Sequence, residues 1–139
     1  MLKLKIDFFP NEKDNEQNVI RIYGTDESLK LLNDNKVTQY FIDGTYKCVP
    51  YSLKSVNVLI ILISYNHINK NFELCLIANF TKEDKENFKQ FYSLLKNKYI
   101  FNPKTITWDF AISNLQALNS IFGDDNIIII TCFFHLLQC

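Results

Sequence analysis

The sequence has 139 residues, enough for one domain with a buried core, and 47% of them are hydrophobic and 22% charged. Its 15 basic and 15 acidic side chains cancel. The chain therefore lacks the cationic excess with which stand-alone nucleic-acid binders neutralise phosphates. If it works on DNA, another domain, a partner chain or bound metal ions must supply much of the binding energy. The composition also excludes an intrinsically disordered chain.

Two further features bear on cellular location. The N-terminal residues contain no apolar stretch long enough for a signal peptide. The longest apolar runs, Val56–Tyr65 and Ile127–Leu137, are shorter than the ~20 residues that span a bilayer. We therefore expect an intracellular protein with no membrane partner. Its four cysteines are expected to be reduced and buried rather than paired.

Residues 1–36 predict an N-terminal flanking segment with short strands and a short helix. Leu2 to Phe8 alternates apolar and polar residues, which is typical of a half-buried strand. Val19–Tyr23 is a second strand candidate. Asp26 is a suitable N-cap for a short helix that carries three leucines.

Three consecutive strands are predicted next, at Tyr40–Asp43, Val56–Tyr65 and Phe72–Phe80. At the end of the first strand, Gly44-Thr45 allows the backbone to turn. The polar link between the second and third has the length and asparagine content of a hairpin loop. Short links of this kind predict an antiparallel meander.

The apolar spacing then becomes helical. Phe88 to Tyr99 carries one apolar stripe, whose helix start is marked by Thr81 with Asp84 three residues on. Thr105–Trp108 is a short strand.

A second helix is predicted over Ala111–Phe122, with Gly123 placed as a C-terminal cap. Ile127–Ile130 is apolar on both faces, which is expected where helices cover both sides of a parallel sheet. Cys132–Cys139 indicates the start of a third helix.

The order is therefore β-β-β-α-β-α-β-α, an α/β fold, and right-handed crossovers make Thr105–Trp108 parallel to Tyr40–Asp43. Asp43 and Asp109 then follow neighbouring strands at the edge where α/β sheets collect their chemistry. Strand axes ~4.8 Å apart would let the two carboxylates hold divalent ions. Taken singly, Asp43-Gly44 reads as a turn dipeptide and Asp109 as a helix N-cap; the pair at one edge favours a metal site.

Three segments resemble the Mutator-like element (MULE) transposase family. Phe41–Lys47, followed by Val49-Pro50, is similar to the family's DGT(F/Y) block and proline. Ile106–Phe110 is similar to the family's second block, and it places Asp109 at the position of the family's second aspartate. Cys132–Gln138 is similar to the family's Cys-x-x-His block ending in Gln. The resemblance covers about residues 29 to 139.

The resemblance implies a partial RNase H-like transposase domain at residues 37–139. Its five-stranded mixed sheet would have the order 3-2-1-4-5, with flanking helices. Asp43 and Asp109 would be the first two members of an Asp-Asp-Glu triad that binds two Mg²⁺ ions, with Mn²⁺ as an alternative. The implied function is DNA transposition in the nucleus, with transposon ends and target DNA as partners and a homo-oligomer in the full-length form.

The sequence departs from the family pattern at two places. Ala111 stands where the family usually has an acid. The third acid would lie beyond the Cys-x-x-His block, and no acid follows Asp125; Asp124 and Asp125 precede the last strand, so they lie at the opposite edge. We therefore expect a fragment truncated at the C-terminus that is inactive, or a non-catalytic binding or assembly module derived from a transposase. A plain α/β domain whose aspartates only cap and turn is the third hypothesis.

Cys132 and His135 admit two interpretations. Their spacing is that of half a zinc site, but no second Cys/His pair completes it. The resemblance implies a local role near the active site, and a buried cysteine with a packed histidine explains the pair equally well.

Overall fold

A computed structural model describes residues 5–10, 19–45, 58–80, 85–108 and 112–131. The strands are β1 (Lys5–Pro10), β2 (Val19–Gly24), β3 (Val37–Thr45), β4 (Val58–Asn66), β5 (Asn71–Phe80), β6 (Thr105–Trp108) and β7 (Ile128–Thr131). The helices are α1 (Asp26–Lys30), which a 3-10 turn at Leu31–Asn33 follows, α2 (Lys85–Lys98) and α3 (Ile112–Phe122).

The described strands form one seven-stranded sheet in the order β1-β2-β5-β4-β3-β6-β7. The five strands predicted from residue 37 onward take the expected relative order, but the expected count of five was wrong. β1 and β2 extend the same sheet beyond β5, because β2 pairs antiparallel with β5. Ile20 and Ile22 of β2 are 1% exposed, so the N-terminal strands contribute to the common core.

Strand directions agree with the sequence prediction. β3, β4 and β5 form an antiparallel meander. β6 pairs parallel to β3, and β7 pairs parallel to β6. The carboxyl ends of β3, β6 and β7 therefore lie at one edge of the sheet.

One face of the sheet carries helices, and we call it the helix-covered face. Tyr40 and Ile42 of β3 project from it and are 0% and 3% exposed. Phe80 of β5 packs its ring against Phe88 and Phe91 of α2, with centroids 5.3 Å apart in both pairs. Helix α3 packs on α2, and residues of both helices join the sheet in one hydrophobic core.

On the opposite face, which we call the open face, several apolar side chains are exposed to solvent. Along β7, Ile129 packs against the core, whereas Ile128 is 63% and Ile130 42% exposed. Within the described residues, helices lie on one side of this strand only, and the expected cover on its second side stays a prediction. An apolar run shows that a strand can be buried on both sides, but it does not supply the covering element.

The helix ends also differ from prediction by small amounts. Thr25, rather than Asp26, is the N-cap of α1, and its side chain accepts a hydrogen bond from the Ser28 backbone N–H at 3.0 Å. Helix α2 ends before Ile100, whose φ of 55° lies in the left-handed region. The Phe101 N–H donates to the Leu95 carbonyl at 2.9 Å, which closes that end.

Gly123 follows α3 directly, as predicted, but not for the predicted reason. Its φ is not positive. The Asn119 carbonyl lies so close that a Cβ at position 123 would overlap it. The glycine is needed there because of this close backbone approach rather than for a left-handed conformation.

Candidate functional site at the carboxyl end of the central strand

Asp43 lies inside β3, two residues before the strand ends at Thr45. Its Cα partner across β4 is Ile61, and Gly44 is paired with Ile60. The sequence Asp43-Gly44 is therefore strand and not turn. The interpretation of Asp43 as a turn former is excluded, because ladder pairing with β4 continues through both residues.

Strand alternation places Asp43 on the open face. Tyr40 and Ile42 point into the core, so Phe41 and Asp43 point the other way. Asp43 is an exposed side chain, whereas Phe41 is half-buried. The carboxylate thus stands at the solvent-accessible, carboxyl-end edge of the strand that lies between β4 and the parallel strand β6.

Apolar side chains surround the position of Asp43 on this face. Phe41 precedes it by one pleat, and Ile61 is opposite it on β4. Ile77 of β5 is the next residue in the same cross-strand row, and both isoleucines are half-buried. An exposed carboxylate at this position can be reached by a cation from solvent.

The parallel neighbour β6 leads directly to the second predicted ligand. The registered pairs between β3 and β6 end at Phe41 and Thr107. Asp43 is two residues beyond Phe41, and Asp109 is two residues beyond Thr107. Asp109 itself lies outside the described residues, as do Ala111, Cys132 and His135.

Trp108, the residue before Asp109, belongs to the core. It is 4% exposed at the end of β6, on the helix-covered side. Trp108 is therefore a packing residue of the core rather than an exposed platform on which a base could stack.

The opposite edge of the sheet holds the other acids considered from the sequence. Asp124 and Asp125 lie between α3 and β7, before the amino end of β7, as predicted. Asp125 makes a 2.9 Å ion pair with the Lys96 ammonium. These two carboxylates are thus at the edge away from Asp43, and they cannot replace a third acid beside it.

Near the amino ends of the central strands lies a polar hollow that the sequence did not predict. Its lining combines three amides with one acid and one base: Asn33, Asn35, Asn102, Asp34 and Lys104. The Asp34 carboxylate accepts a hydrogen bond from the Lys36 N–H at 2.9 Å, as expected of an Asx turn. The one sequence signal for this loop is the composition Asn33-Asp34-Asn35, which is typical of a turn and does not by itself indicate a binding site.

Two buried titratable groups lie in the core away from Asp43. Burial, with smaller contributions from Cys75 and Asp34, raises the pKa of Tyr40, whose hydroxyl donates to the Leu31 carbonyl at 2.6 Å. Burial raises the pKa of the Cys75 thiol to about 11. Cys75 is free and buried, as expected, and an un-ionised thiol of this kind is unreactive.

Comparisons with known proteins returned matches among solved structures. No family model matches the chain, and the search of curated proteins returned no match. A solved chain in the Drosophila P element transposase strand transfer complex matches with a TM-score of 0.48 and 12% identity. The match covers 82% of this chain and 32% of that one, so this chain spans about a third of that protein's length.

The described residues contain neither a cluster of three metal-ligating side chains nor a helix that could span a membrane. No three His, Cys, Asp or Glu side chains in that part of the chain come together as metal ligands. The longest described helix, α2, has 14 residues and is too short and too polar to cross a bilayer.

Proposed function

We propose that this chain supplies part of the catalytic core of an RNase H-like DDE transposase of the Mutator-like kind, which acts in DNA transposition. Asp43 and Asp109 hold two Mg²⁺ ions, or Mn²⁺ in their place. The observation that carries the proposal is the exposed position of Asp43, in strand conformation, at the carboxyl end of a central strand. The MULE-like blocks around Asp43 and Asp109 support it.

The register of the parallel pair supports the partnership of the two aspartates. Both follow the last registered pair, Phe41 and Thr107, by the same number of residues. Continuation of that register by two residues would bring their Cα atoms to adjacent strands ~4.8 Å apart. Carboxylates at that spacing can bridge or flank ions separated by roughly 3.5–4 Å.

The reaction follows from what such a site can do. When bound, the two ions activate the attacking oxygen and stabilise the leaving oxygen of a phosphodiester. Water is the first nucleophile, and the freed 3′-hydroxyl then attacks target DNA. Asp43 and Asp109 fix the ions against the sheet edge, and the open face beside Asp43 leaves room for the substrate. Asp124 and Asp125 precede the amino end of β7, at the opposite edge of the sheet, so neither supplies the third acid of the triad.

The zero net charge limits how this core binds its substrate. Phosphate neutralisation by this chain alone is weak, so the affinity for transposon ends and target DNA comes largely from other domains or from subunits of a nuclear homo-oligomer. Cys132 and His135 serve near the active site by positioning the segment that follows β7.

Trp108 makes the metal site testable, because it is the single tryptophan and directly precedes Asp109. Mn²⁺ is paramagnetic, so its binding at the two aspartates should quench Trp108 fluorescence in a saturable titration. Asp43→Asn and Asp109→Asn should each weaken the apparent affinity by more than about tenfold. Asp124→Asn is the matched control at the opposite sheet edge, and it should titrate like the unmodified protein.

The four titrations together distinguish a metal site at the two aspartates from the alternative hypotheses. Identical quenching curves for all four proteins would show that the ions bind elsewhere, and the metal assignment would be wrong. A fully folded protein that binds no Mn²⁺ at all would instead favour the non-catalytic binding or assembly module. The exposed position of Asp43 at this edge would then be a feature of the scaffold.

A further inference from the structure

Three aromatic side chains form a continuous cluster on the open face, which we call the aromatic platform: Phe41 of β3, Tyr65 of β4 and Phe72 of β5. The centroid of the Phe72 ring lies 4.8 Å from that of Tyr65 and 5.7 Å from that of Phe41, and the ring planes are tilted by 44° and 57°. Phe72 is 66% exposed, and the other two are half-buried. The aromatic platform therefore presents ring surface to solvent.

The backbone beneath the aromatic platform is held in a fixed position. Tyr65 and Phe72 are cross-strand partners in the hairpin of β4 and β5. The Asn66 side chain accepts hydrogen bonds from two backbone N–H groups of the hairpin loop, at 3.0 and 3.2 Å. Thr38 Oγ1 and His67 Nδ1 lie 3.3 Å apart and link this loop to β3. Rings on such a preorganised backbone bind a flat ligand at a small cost in conformational entropy.

The aromatic platform begins beside the candidate metal site. Phe41 precedes Asp43 by two residues on the same strand and the same face, which is about 7 Å along the strand. Aromatic rings exposed on a sheet face are the kind of surface on which the bases of an unpaired nucleic-acid strand stack. A DNA strand with a phosphodiester at Asp43 is thus within reach of these rings.

Cationic side chains stand at the amino-end edge of β3 and β6, just beyond the aromatic platform. Three of them are exposed: Lys36, Lys70 and Lys104. Lys70 is two residues before Phe72 in the chain. Of the acids at this edge, Asp34 accepts a hydrogen bond from the Lys36 backbone N–H at 2.9 Å. Asp124 and Asp125 lie beside β7, four strands away from β5. The rim next to Phe72 therefore suits the phosphates of a strand whose bases lie on the rings.

The composition favours stacking as the main source of affinity. With zero net charge, the chain gains little from phosphate neutralisation. Stacking of a base on an aromatic ring does not depend on net charge and tolerates every base, because each base has a π-face. A protein segment would pack equally well on aliphatic side chains, whereas three contacting aromatic rings suit a flat aromatic ligand.

We propose that the aromatic platform binds the unpaired bases of single-stranded DNA, next to the phosphodiester held at Asp43. Bases stack on Phe72 and Phe41, and the phosphates face Lys70. The choice of DNA as the ligand rests on the proposed function, but the stacking itself requires no metal ion. The site thus holds a single-stranded part of the substrate that flanks the bond to be cut.

Fluorescence anisotropy with a short fluorescein-labelled oligothymidylate tests the proposal on the full chain, in buffer that contains EDTA. Phe72→Leu keeps an apolar side chain but removes the ring, and it should weaken binding about five- to hundredfold. Phe72→Tyr keeps the ring and should bind within about twofold of the unmodified protein. Ile112→Ala is the matched control, because Ile112 is 69% exposed on α3 and lies off the open face. It should bind like the unmodified protein.

Several outcomes would overturn the proposal. One is that the unmodified protein leaves the anisotropy unchanged. Another is that Phe72→Leu binds as tightly as the unmodified protein, since any apolar contact would then suffice and a protein segment would be the better occupant. The same strand annealed to oligoadenylate should bind more than about fivefold more weakly, because paired bases are not available to stack. Equal or tighter binding of that duplex would also contradict the proposal.

The salt dependence separates stacking from phosphate contacts. Lys70→Gln should reduce the slope of log K against log salt by up to about one, whereas Phe72→Leu should lower the affinity and leave the slope unchanged. A changed slope in Phe72→Leu would contradict stacking.

The Mn²⁺ titration of Trp108 keeps this proposal distinct from the metal site. Phe72→Leu should leave that titration unchanged, because Phe72 is not a metal ligand. Oligothymidylate binding that depends on the Phe72 ring, in a protein that binds no Mn²⁺, would support the aromatic platform and reject the metal assignment. Mn²⁺ binding at the two aspartates, with no effect of Phe72→Leu on oligothymidylate binding, would do the reverse.

Discussion

At the scale of single residues, pairing of the backbone with a neighbouring strand outweighed the local preference of Asp43-Gly44 for a turn. Asp43-Gly44 is a common turn dipeptide, yet both residues are paired with β4 and the strand runs on to Thr45. The edge at which Asp43 lies was predictable, because Asp43 follows the apolar residues of a strand segment. The length of the strand was not, because it depends on a partner strand that begins at Val58.

The buried thiol of Cys75 gives a residue-scale prediction about pH. Its pKa is raised to about 11 in the folded state, whereas an unfolded thiol titrates near about 8.5. Between these values the unfolded chain binds fewer protons than the folded one, so the stabilisation present below about pH 8.5 is lost as pH rises through about 11. Urea unfolding at a series of pH values should show this decline.

Cys75→Ala provides the comparison for that measurement. The variant should be less stable at neutral pH, since a buried side chain is shortened, but its stability should fall less steeply above about pH 8.5. Tyr40, which also has a raised pKa, is present in both proteins, so the larger part of its contribution, which comes from burial, cancels in the difference. Parallel stability profiles for the two proteins would show that the thiol does not titrate differently on unfolding.

At the scale of elements, the sequence predicted which segments are strands and helices better than what covers them. The stripe from Phe88 to Leu95 correctly gave the buried side of α2, because helical spacing alone defines it. The run at Ile127–Ile130 gave a strand, but its second side carries no helix among the described residues. Periodicity describes the element that carries it and not the neighbour that packs on it.

The two faces of the sheet lead to a matched pair of phenylalanine substitutions. Phe91→Ala in α2 removes a ring that is 0% exposed and packs on Phe80, and it should lower the free energy of unfolding by about 3–5 kcal/mol. Phe72→Ala on the open face removes a ring that is 66% exposed, and it should cost less than about 1 kcal/mol. Chemical denaturation of both variants measures the difference; similar losses would show that the open face is covered around Phe72.

At the scale of the whole molecule, the membership of β1 and β2 in the sheet was beyond sequence reasoning. The flank 1–36 was predicted as a separate segment because its strands are short and a polar loop divides them. Their position depends on the pairing of β2 with β5, more than fifty residues away along the chain. Neither hydrophobic periodicity nor turn chemistry contains information on a contact of that range.

Strand β2, the central strands and helices α2 and α3 share one hydrophobic core. We therefore expect the protein to unfold in a single transition. Trp108 fluorescence reports on β6, and far-UV circular dichroism reports on all elements; their urea midpoints should coincide. As a check, Ile22→Ala in β2 should shift both midpoints together, by an amount typical of about 2–4 kcal/mol. A separate early transition seen only by circular dichroism would show that the N-terminal strands unfold independently.

The parallel pairing of β3 with β6 has a consequence for how the chain reaches this structure. β3 can meet β4, and β4 can meet β5, through nearby hairpin contacts, but Tyr40 meets Ile106 only after the whole meander and α2 have been traversed. Closing so long a loop is entropically costly and slow. The meander is therefore the natural nucleus, and the late step is the docking of β6 along β3. We therefore expect the edge that carries Asp43 to be completed late in folding, after the meander has formed.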